Sequence, residues 1–185
     1  AAISVTAANV PFNPSSITTQ TITETVASTN YYTGIAIKGS TAYVGNYLNS
    51  IVSIVELTNN TGSVYAGSKG QGSAPITGCN GTSLKYYAPS QCRVSADGTR
   101  LYVLDQNNYF TYITLDTSTN TTLLAPGVGG LNRYGYDFCL DPTNTYAYIS
   151  EYDGVSSILR CTLRDGVTST LSLGGLTTAN GITID

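Results

Sequence analysis

One sequence pattern occurs four times in this chain, and it constrains the fold more than any other feature. The copies begin at Gly34, Gln91, Asp137 and Gly181, which lie 57, 46 and 44 residues apart, and the last copy comprises only residues 181–185. Within each longer copy, apolar and polar residues alternate with the period of two that is typical of β-strands. A repeat of this length, with several short strands in each unit, predicts the blades of a β-propeller.

Each longer copy is predicted to form four antiparallel strands, lettered A to D from the propeller axis outward. Strand A is followed by a turn rich in Gly, Asn and Asp, which favour tight hairpins. Strand B then carries an aromatic–aliphatic pair at one register, and strands C and D follow at similar spacings in all three copies. The pairs are Tyr43-Val44, Tyr102-Val103 and Tyr148-Ile149.

The two ends of the chain are predicted to share one further blade. The spacing of the repeats, measured backwards from Gly34, places strands B, C and D of a blade within residues 1–30, and residues 181–185 supply its strand A. We therefore expect a single all-β domain, a propeller of four four-stranded blades, with the other blades starting at about residues 34, 91 and 137. The strands that complete the shared blade contain Ile3, Val5, Gly181, Ile182 and Ile184.

The repeat resembles the NHL-type and YncE-like families of propellers. The resemblance is carried by the pattern of a short apolar strand, a turn and an aromatic–aliphatic pair in residues 34–46, 93–105, 139–151 and 181–185. It implies a propeller fold with more blades than the four predicted here. It leaves the function open, because these families include ligand-binding scaffolds, protein-binding modules and lactone-hydrolysing enzymes.

Two arrangements would complete the shared blade. An unpaired strand edge exposes backbone N–H and C=O groups that pair readily with another strand. Residues 181–185 can pair with residues 3–6 of the same chain, which closes a four-bladed ring. They can instead pair with residues 3–6 of a second copy, which is strand addition between subunits. Repeated head to tail without closure, the second contact builds a helical filament. The sequence leaves both arrangements open.

The composition indicates the compartment and excludes two classes of partner. Charged residues make up only 10% of the chain, and the net charge of −3 provides no basic surface for nucleic acid. No apolar run approaches the roughly 18 residues that a membrane span needs. The chain starts at Ala1-Ala2 without Met, as a secreted protein does after removal of its signal peptide. We therefore expect an extracellular or cell-surface location, without nucleic acid and without membrane insertion.

The cysteines and the glycosylation sequons point to the same compartment. The chain has four cysteines, no C-x2-C pair and no His, so disulfides are favoured over zinc. We expect local pairing, Cys79 with Cys92 and Cys139 with Cys161. Three Asn-x-Thr sequons, which are acceptors for N-glycosylation, fall in predicted turns or loops. They are Asn59, Asn80 and Asn120.

Carboxylates are the remaining catalytic candidates, because a Ser-His-Asp or Cys-His arrangement requires a histidine. Asn46, Asp105 and Glu151 share one register just after strand B. Propellers that resemble lactonases hold a metal with carboxylates at the central channel, which would implicate Asp105, Asp141, Glu151 and Asp185. We favour the alternative that these residues cap turns by accepting backbone hydrogen bonds. No catalytic residue, metal or cofactor is predicted.

Tyrosines are the strongest candidates for a binding surface. The chain has 15 of them, with no Trp and only three Phe, and pairs recur just before strand A. The segments from strand D to the next strand A run towards the axis, so these rings are expected at one end of the channel. They would stack on sugars, contact another subunit or pack between blades. The residues are Tyr31, Tyr32, Tyr86, Tyr87, Tyr134 and Tyr136.

Together these observations predict a non-enzymatic extracellular structural protein. Its partner is expected to be itself, through head-to-tail completion of the shared blade into a filament or surface assembly. The alternative is a closed four-bladed module that binds a glycan or a protein ligand. A second alternative is a metal-dependent propeller hydrolase.

Overall fold

The computed structural model of the chain is an all-β structure built around three four-stranded antiparallel sheets. It describes residues 2–4, 21–23, 31–68, 75, 77–127, 131, 135–151, 157–172 and 181–184. In these ranges there is no α-helix, only a short 3-10 turn at Gly81–Ser83. None of the helical structure described is long and apolar enough to cross a membrane.

Two short strands near the N-terminus, β1 (Ala2–Ser4) and β2 (Thr21–Thr23), pair antiparallel, with Ile3 opposite Ile22. This register joins the first and the last of the three strands predicted within residues 1–30, whereas the order B–C–D would place another strand between them. The predicted middle strand, residues 15–19, lies outside the described residues, as does Val5. The assignment of residues 1–30 to a fourth blade therefore stays a prediction.

Each four-stranded sheet is one blade, and its strands follow the chain in the predicted order A to D. The outer strand of the first blade lies beside β2. The all-β propeller class is thus confirmed, with three blades described. Blade 1 contains β3 (Tyr32–Lys38), β4 (Thr41–Asn46), β5 (Ile51–Glu56) and β6 (Thr61–Gly67); blade 2 contains β7 (Pro89–Val94), β8 (Arg100–Asp105), β9 (Phe110–Thr114) and β10 (Thr119–Leu124); blade 3 contains β11 (Gly135–Leu140), β12 (Tyr146–Glu151), β13 (Ser157–Thr162) and β14 (Thr168–Ser172).

The first turn of every blade has the same backbone conformation. Gly39, Gly98 and Asn144 lie two residues before the second strand and have positive φ, at 58°, 69° and 56°. Glycine adopts this conformation without steric cost, and asparagine tolerates it better than most residues. The turn chemistry seen in the sequence therefore sets the register of each inner hairpin.

Two apolar cores hold the three blades face to face. The core between blades 1 and 2 includes Tyr43, Cys92 and Ile113, all buried. In the core between blades 2 and 3, the ring of Phe110 meets that of Phe138 edge to face, with 5.0 Å between the centroids. Blade 2 thereby buries both of its faces. Full burial of side chains of this size contributes about 1.5–3 kcal/mol each.

The inner strands β3, β7 and β11 are neighbours around the axis. A Cβ atom on Gly34 of blade 1 would lie 2.7 Å from the Cα atom of Gln91 in blade 2, so the close approach of β3 and β7 requires glycine. Arg93 Nη2 donates to Asp137 Oδ1 at 3.1 Å and so joins β7 to β11.

Asp137 also holds the last described segment of the chain. Its Oδ2 accepts the backbone N–H of Ile182 at 3.2 Å. Residues 181–184 thereby lie next to Asp137 of β11, and they have no strand conformation, so their assignment as the inner strand of a fourth blade stays a prediction. They form no ladder with a described strand, and β1 pairs with β2.

We expect Asp137→Ala to release residues 181–184 while the three blades stay folded. The substitution removes the charged partner of Arg93 and the acceptor of the Ile182 N–H, with an expected loss of about 1–3 kcal/mol. Hydrogen–deuterium exchange of the C-terminal peptide should accelerate about tenfold or more. Asp165→Ala, which removes a carboxylate on the exposed rim of blade 3, is the control and should leave that peptide unchanged. Equal exchange in wild type and Asp137→Ala contradicts the contact.

Candidate functional site

A cleft of about 550 Å³ opens at the end of the molecule where the inner strands begin. Antiparallel pairing brings several parts of the chain to this end: the starts of β3, β7 and β11, and the turns that follow β4 and β8. The nine described lining residues are all uncharged. Six of them carry the argument below: Tyr31, Tyr32, Tyr47, Gln91, Gln106 and Tyr136.

A β-bulge interrupts each inner strand next to the cleft. The ladder register shifts directly after Tyr32, Pro89 and Gly135. A bulge breaks the strict alternation of side chains between the two faces of a sheet and re-aims the residues beside it. Accordingly Tyr32, before the shift, lines the cleft, whereas Ala36, after it, packs between blades 1 and 2.

Backbone hydrogen bonds hold the turn after the second strand against the segment before the inner strand. In blade 1 the Tyr47 N–H donates to the Tyr31 carbonyl at 2.8 Å. In blade 2 the Gln106 N–H donates to the carbonyls of Tyr87 and Ala88 at 3.2 and 3.3 Å. The rings of Tyr31 and Tyr47 also meet edge to face, with 5.7 Å between centroids. These contacts fix the wall of the cleft before a ligand binds.

The structure does not bring the six loop tyrosines into one cluster. Tyr86 is fully buried between blades 1 and 2, where burial raises the pKa of its hydroxyl. Tyr87 is exposed but is not among the described lining residues, and Tyr134 lies outside the described residues. The three that line the cleft are Tyr31, Tyr32 and Tyr136.

The sequence prediction missed Tyr47, Gln91 and Gln106. It considered only the segments before strand A, although antiparallel pairing places the end of strand B at the same end of a blade. The repeat could have indicated these residues, because Tyr47 and Gln106 both directly follow the last residue of strand B in their copies.

Beneath the cleft, the last residue of the second strand is polar and buried in blade 2. Asp105 is 0% exposed, and its carboxylate accepts the backbone N–H groups of Tyr87, Asn107 and Tyr109 at 3.0–3.2 Å. Burial raises the pKa of Asp105 to about 7, and the three N–H donors offset part of that rise. The residue therefore caps the turn after β8, which is the role that the sequence favoured.

The equivalent residues of the other blades are also buried. Asn46 Oδ1 accepts the backbone N–H of Asn49 at 3.3 Å in blade 1. Glu151 Oε2 accepts the Ser157 hydroxyl at 3.3 Å in blade 3. An amide thus caps the turn in blade 1 as the Asp105 carboxyl group does in blade 2, whereas Glu151 accepts a side-chain hydroxyl of the next described strand.

The carboxylates suspected of metal binding do not converge. Glu151 pairs with Gly135 at the start of β11, whereas Asp141 follows the end of β11, at the opposite end of the blade. There Asp141 accepts the backbone N–H groups of Thr145 and Tyr146, both at 2.7 Å. Asp185 lies outside the described residues. Within the described part of the chain, no three His, Cys, Asp or Glu residues are grouped so that they could hold a metal ion.

The expected disulfide between Cys139 and Cys161 is wrong, because both are free thiols. Cys139 on β11 and Cys161 on β13 are separated by β12, where their ladder partners are the adjacent residues Tyr148 and Ala147. Adjacent residues of a strand point to opposite faces. The two thiols therefore lie two strands apart and on opposite faces of blade 3.

The expected disulfide between Cys79 and Cys92 is also wrong. Cys79 lies beside the outer strand of blade 2, where its carbonyl accepts the Asn120 N–H at 2.9 Å, whereas Cys92 is on the inner strand. Three strand spacings separate those edges by about 14 Å, well beyond the ~7 Å between Cα atoms that a disulfide tolerates. Cys92 Sγ donates instead to the Tyr43 carbonyl at 3.3 Å.

The three sequons differ in accessibility. Asn59 and Asn80 are exposed and lie outside the named strands. Asn120 was expected in a turn or loop, but it lies within β10 and is fully buried. The segment before the 3-10 turn covers this strand, since the Gly78 N–H donates to the Asn120 carbonyl at 2.8 Å. In the folded chain, only the first two sequons are accessible.

All four thiols should react in unfolded protein that has not been reduced. Titration with a thiol reagent in denaturant should count four, because no cysteine is paired. In native protein the partly exposed Cys79 should react first, since burial raises the pKa of Cys92 and Cys161 to about 12 and suppresses their thiolates. Cys79→Ser should remove the fast phase. A count of zero in denaturant would contradict the free thiols.

Stability should fall as the pH rises from about 4 to about 7, because of Asp105. Its folded pKa of about 7 lies above the ordinary value of 3.8. In that window the unfolded chain has released a proton that the native state still holds. Raising the pH therefore favours unfolding, by up to about 1.4 kcal/mol per pH unit. Urea midpoints measured across this range report the slope.

Asp105→Asn should remove this pH dependence and preserve the fold, because Asn46 already occupies the equivalent position in blade 1. Asp97→Asn is the matched control. Asp97 is an exposed carboxylate in the first turn of blade 2, and hydrogen bonds from Ser95 and Thr99 lower its pKa to about 2, below the window. A slope that survives in Asp105→Asn assigns the effect to another group.

No family model matches the chain, and no curated protein matches it. Among solved structures, the nidogen/laminin complex matches with a TM-score of 0.64 and 14% identity, over 84% of this chain and 53% of that one. Hydrazine synthase from Kuenenia stuttgartiensis matches at 0.60 and 12%, over 85% and 41%. A structural-genomics protein from Bacteroides thetaiotaomicron matches at 0.56 and 14%, over 78% and 32%. The chain spans about half or less of each, and it shares with them a propeller-like fold.

Proposed function

We propose that this chain is a non-enzymatic structural subunit whose copies join head to tail through the open face of blade 1. The open face is the side of blade 1 turned away from blade 2. Ladder pairing places its residues on one side of the sheet: Ile35, Ile37, Ala42, Val44 and Val55. Of these five, Ala42, Val44 and Val55 are buried, at 0–2% exposure, and form a small apolar cluster, so the exposed part of the face is the inner strand with Ile35 and Ile37.

The exposure of two inner-strand residues carries this proposal. Ile35 and Ile37 are 40% and 47% exposed. Cys92 in blade 2 and Phe138 in blade 3 are the equivalents of Ile35. All three residues pair with the residue that follows the strand-B tyrosine of their blade. Cys92 and Phe138 are fully buried against the preceding blade. Two isoleucines left exposed on the inner strand, next to the buried Ala42 and Val44, mark an edge of the face that one further strand would cover.

Residues 181–184 of a second copy are the partner that suits the open face. In their own chain they lie beside β11, where a further inner strand belongs, and Ile184 is exposed. Placed next to β3 of a neighbouring copy, they would cover Ile35 and Ile37 as β3 covers Cys92. A contact of this kind uses two different surfaces, so it propagates along a filament unless it closes into a ring.

The extracellular location is part of the same proposal. The free thiols remove one argument for it, since disulfides are typical of secreted proteins. Two observations still support it: the small share of charged residues and the accessible sequons at Asn59 and Asn80. Glycans at those two positions would lie on the turn between β5 and β6 and on the segment before blade 2.

Ile37→Asp should abolish assembly, because a carboxylate on the open face cannot be buried without a partner. We expect wild-type protein at micromolar concentration to form extended multi-subunit particles by light scattering and negative-stain microscopy, and the variant to be monomeric with an unchanged circular dichroism spectrum. Val167→Asp is the matched control, because Val167 is an exposed aliphatic residue on the rim of blade 3. A wild-type protein that stays monomeric at all concentrations contradicts the proposal.

The tyrosine-lined cleft favours a second candidate function, a binding module that acts without assembly. A closed four-bladed ring would suit this function, with residues 181–184 of the same chain covering Ile35 and Ile37. A stable wild-type monomer would favour this candidate.

A further inference from the structure

We propose that the cleft at the start of the inner strands binds a neutral carbohydrate of roughly one or two hexose units. Its volume of about 550 Å³ lies within the range of small-molecule sites. The proposal does not depend on assembly, since the cleft lies at the end of the blades and assembly uses the side of blade 1.

The lining fits an uncharged ligand. The described side chains of the cleft are those of Tyr, Thr, Ser, Gln and Leu, so none offers a full charge to an anion or a cation. Arg93 bonds the lining residue Gln91, but its charge is paired with Asp137 at 3.1 Å. Among the described lining residues, a charged ligand would lose its hydration without gaining an unpaired counter-charge.

Two exposed tyrosine rings provide a stacking surface. Tyr31 and Tyr136, from blades 1 and 3, are 60% and 47% exposed on the cleft. A hexose presents an apolar face of C–H groups, which packs against an aromatic ring, and a rim of hydroxyl groups. The edge-to-face contact with Tyr47 already orients the Tyr31 ring, so little side-chain entropy is lost when a sugar stacks on it.

Two amide side chains supply hydrogen bonds for the sugar hydroxyls. Arg93 Nη1 donates to Gln91 Oε1 at 2.8 Å, which orients the Gln91 amide in the lining of the cleft. The backbone of Gln106 is held by Tyr87 and Ala88, which positions its side chain at the same wall. An amide both donates and accepts hydrogen bonds, as a ligand with many hydroxyl groups requires.

A proline-rich peptide is the other ligand that aromatic grooves bind. A run of prolines presents apolar rings and backbone carbonyls but no N–H donor for the acceptor groups of the cleft. The cleft instead combines tyrosine hydroxyls with two glutamine amides, so the chemistry of the lining favours the sugar. The peptide is therefore included in the test as a competing ligand.

Saturation-transfer NMR on the full chain, with a panel of neutral disaccharides, tests the proposal directly. The panel contains cellobiose, maltose, lactose, mannobiose and N,N′-diacetylchitobiose. At least one should bind saturably, with the strongest transfer to the C–H protons of one ring face. The chain has no Trp, so tyrosine emission should change over the same concentration range.

Three variants locate the site. Tyr31→Ala should weaken sugar binding by about tenfold or more, and Tyr31→Phe should retain most of it because the ring remains. Tyr87→Ala is the matched control, since Tyr87 is also exposed just before an inner strand but is not among the described lining residues. Failure of every disaccharide to bind, equal losses in Tyr31→Ala and Tyr87→Ala, or saturable binding of a decaproline peptide in place of the sugars overturns the proposal.

Discussion

Face-to-face packing of the blades is the physical constraint on which the other features depend. A four-stranded sheet with apolar residues on both sides must be covered twice, and blade 2 is covered by blade 1 through Tyr43 and Cys92 and by blade 3 through Phe110 and Phe138. Stacking of this kind brings the inner strands together and gathers the turns at two ends. The cleft forms at one of these ends, and the side of blade 1 that blades 2 and 3 do not cover stays exposed along its inner strand.

The features that the sequence predicted correctly depend on neighbouring residues. Alternation with a period of two and turns rich in Gly and Asn are local properties, and the predicted strands of the three longer copies overlap β3 to β14. The recurring aromatic–aliphatic pair also marked the register, so Val44, Val103 and Ile149 occupy equivalent ladder positions. The connections between successive strands are short, so they set the strand order within each blade.

The incorrect predictions concern contacts between distant parts of the chain. Spacing alone does not reveal that Cys139 and Cys161 face opposite sides of a sheet; that depends on counting residues along β12, which lies between them. Asn120 resembled a loop residue because Thr and Asn surround it, yet residues 77–80 cover it from outside the strand. Predicting the cleft also requires contacts between distant segments, because Tyr47 and Gln106 reach it only when the blades are stacked.

The bulge in each inner strand has a consequence for how this fold can change over time. Tyr32, Pro89 and Gly135 fill the same position just before the bulge with an aromatic ring, an imino acid and no side chain, while the ladder beyond the bulge keeps its register. In an unbroken strand, an inserted residue would flip every following side chain to the wrong face. The bulge confines such changes to the rim. The residues that line the cleft can therefore differ from blade to blade while the packing between the blades stays the same.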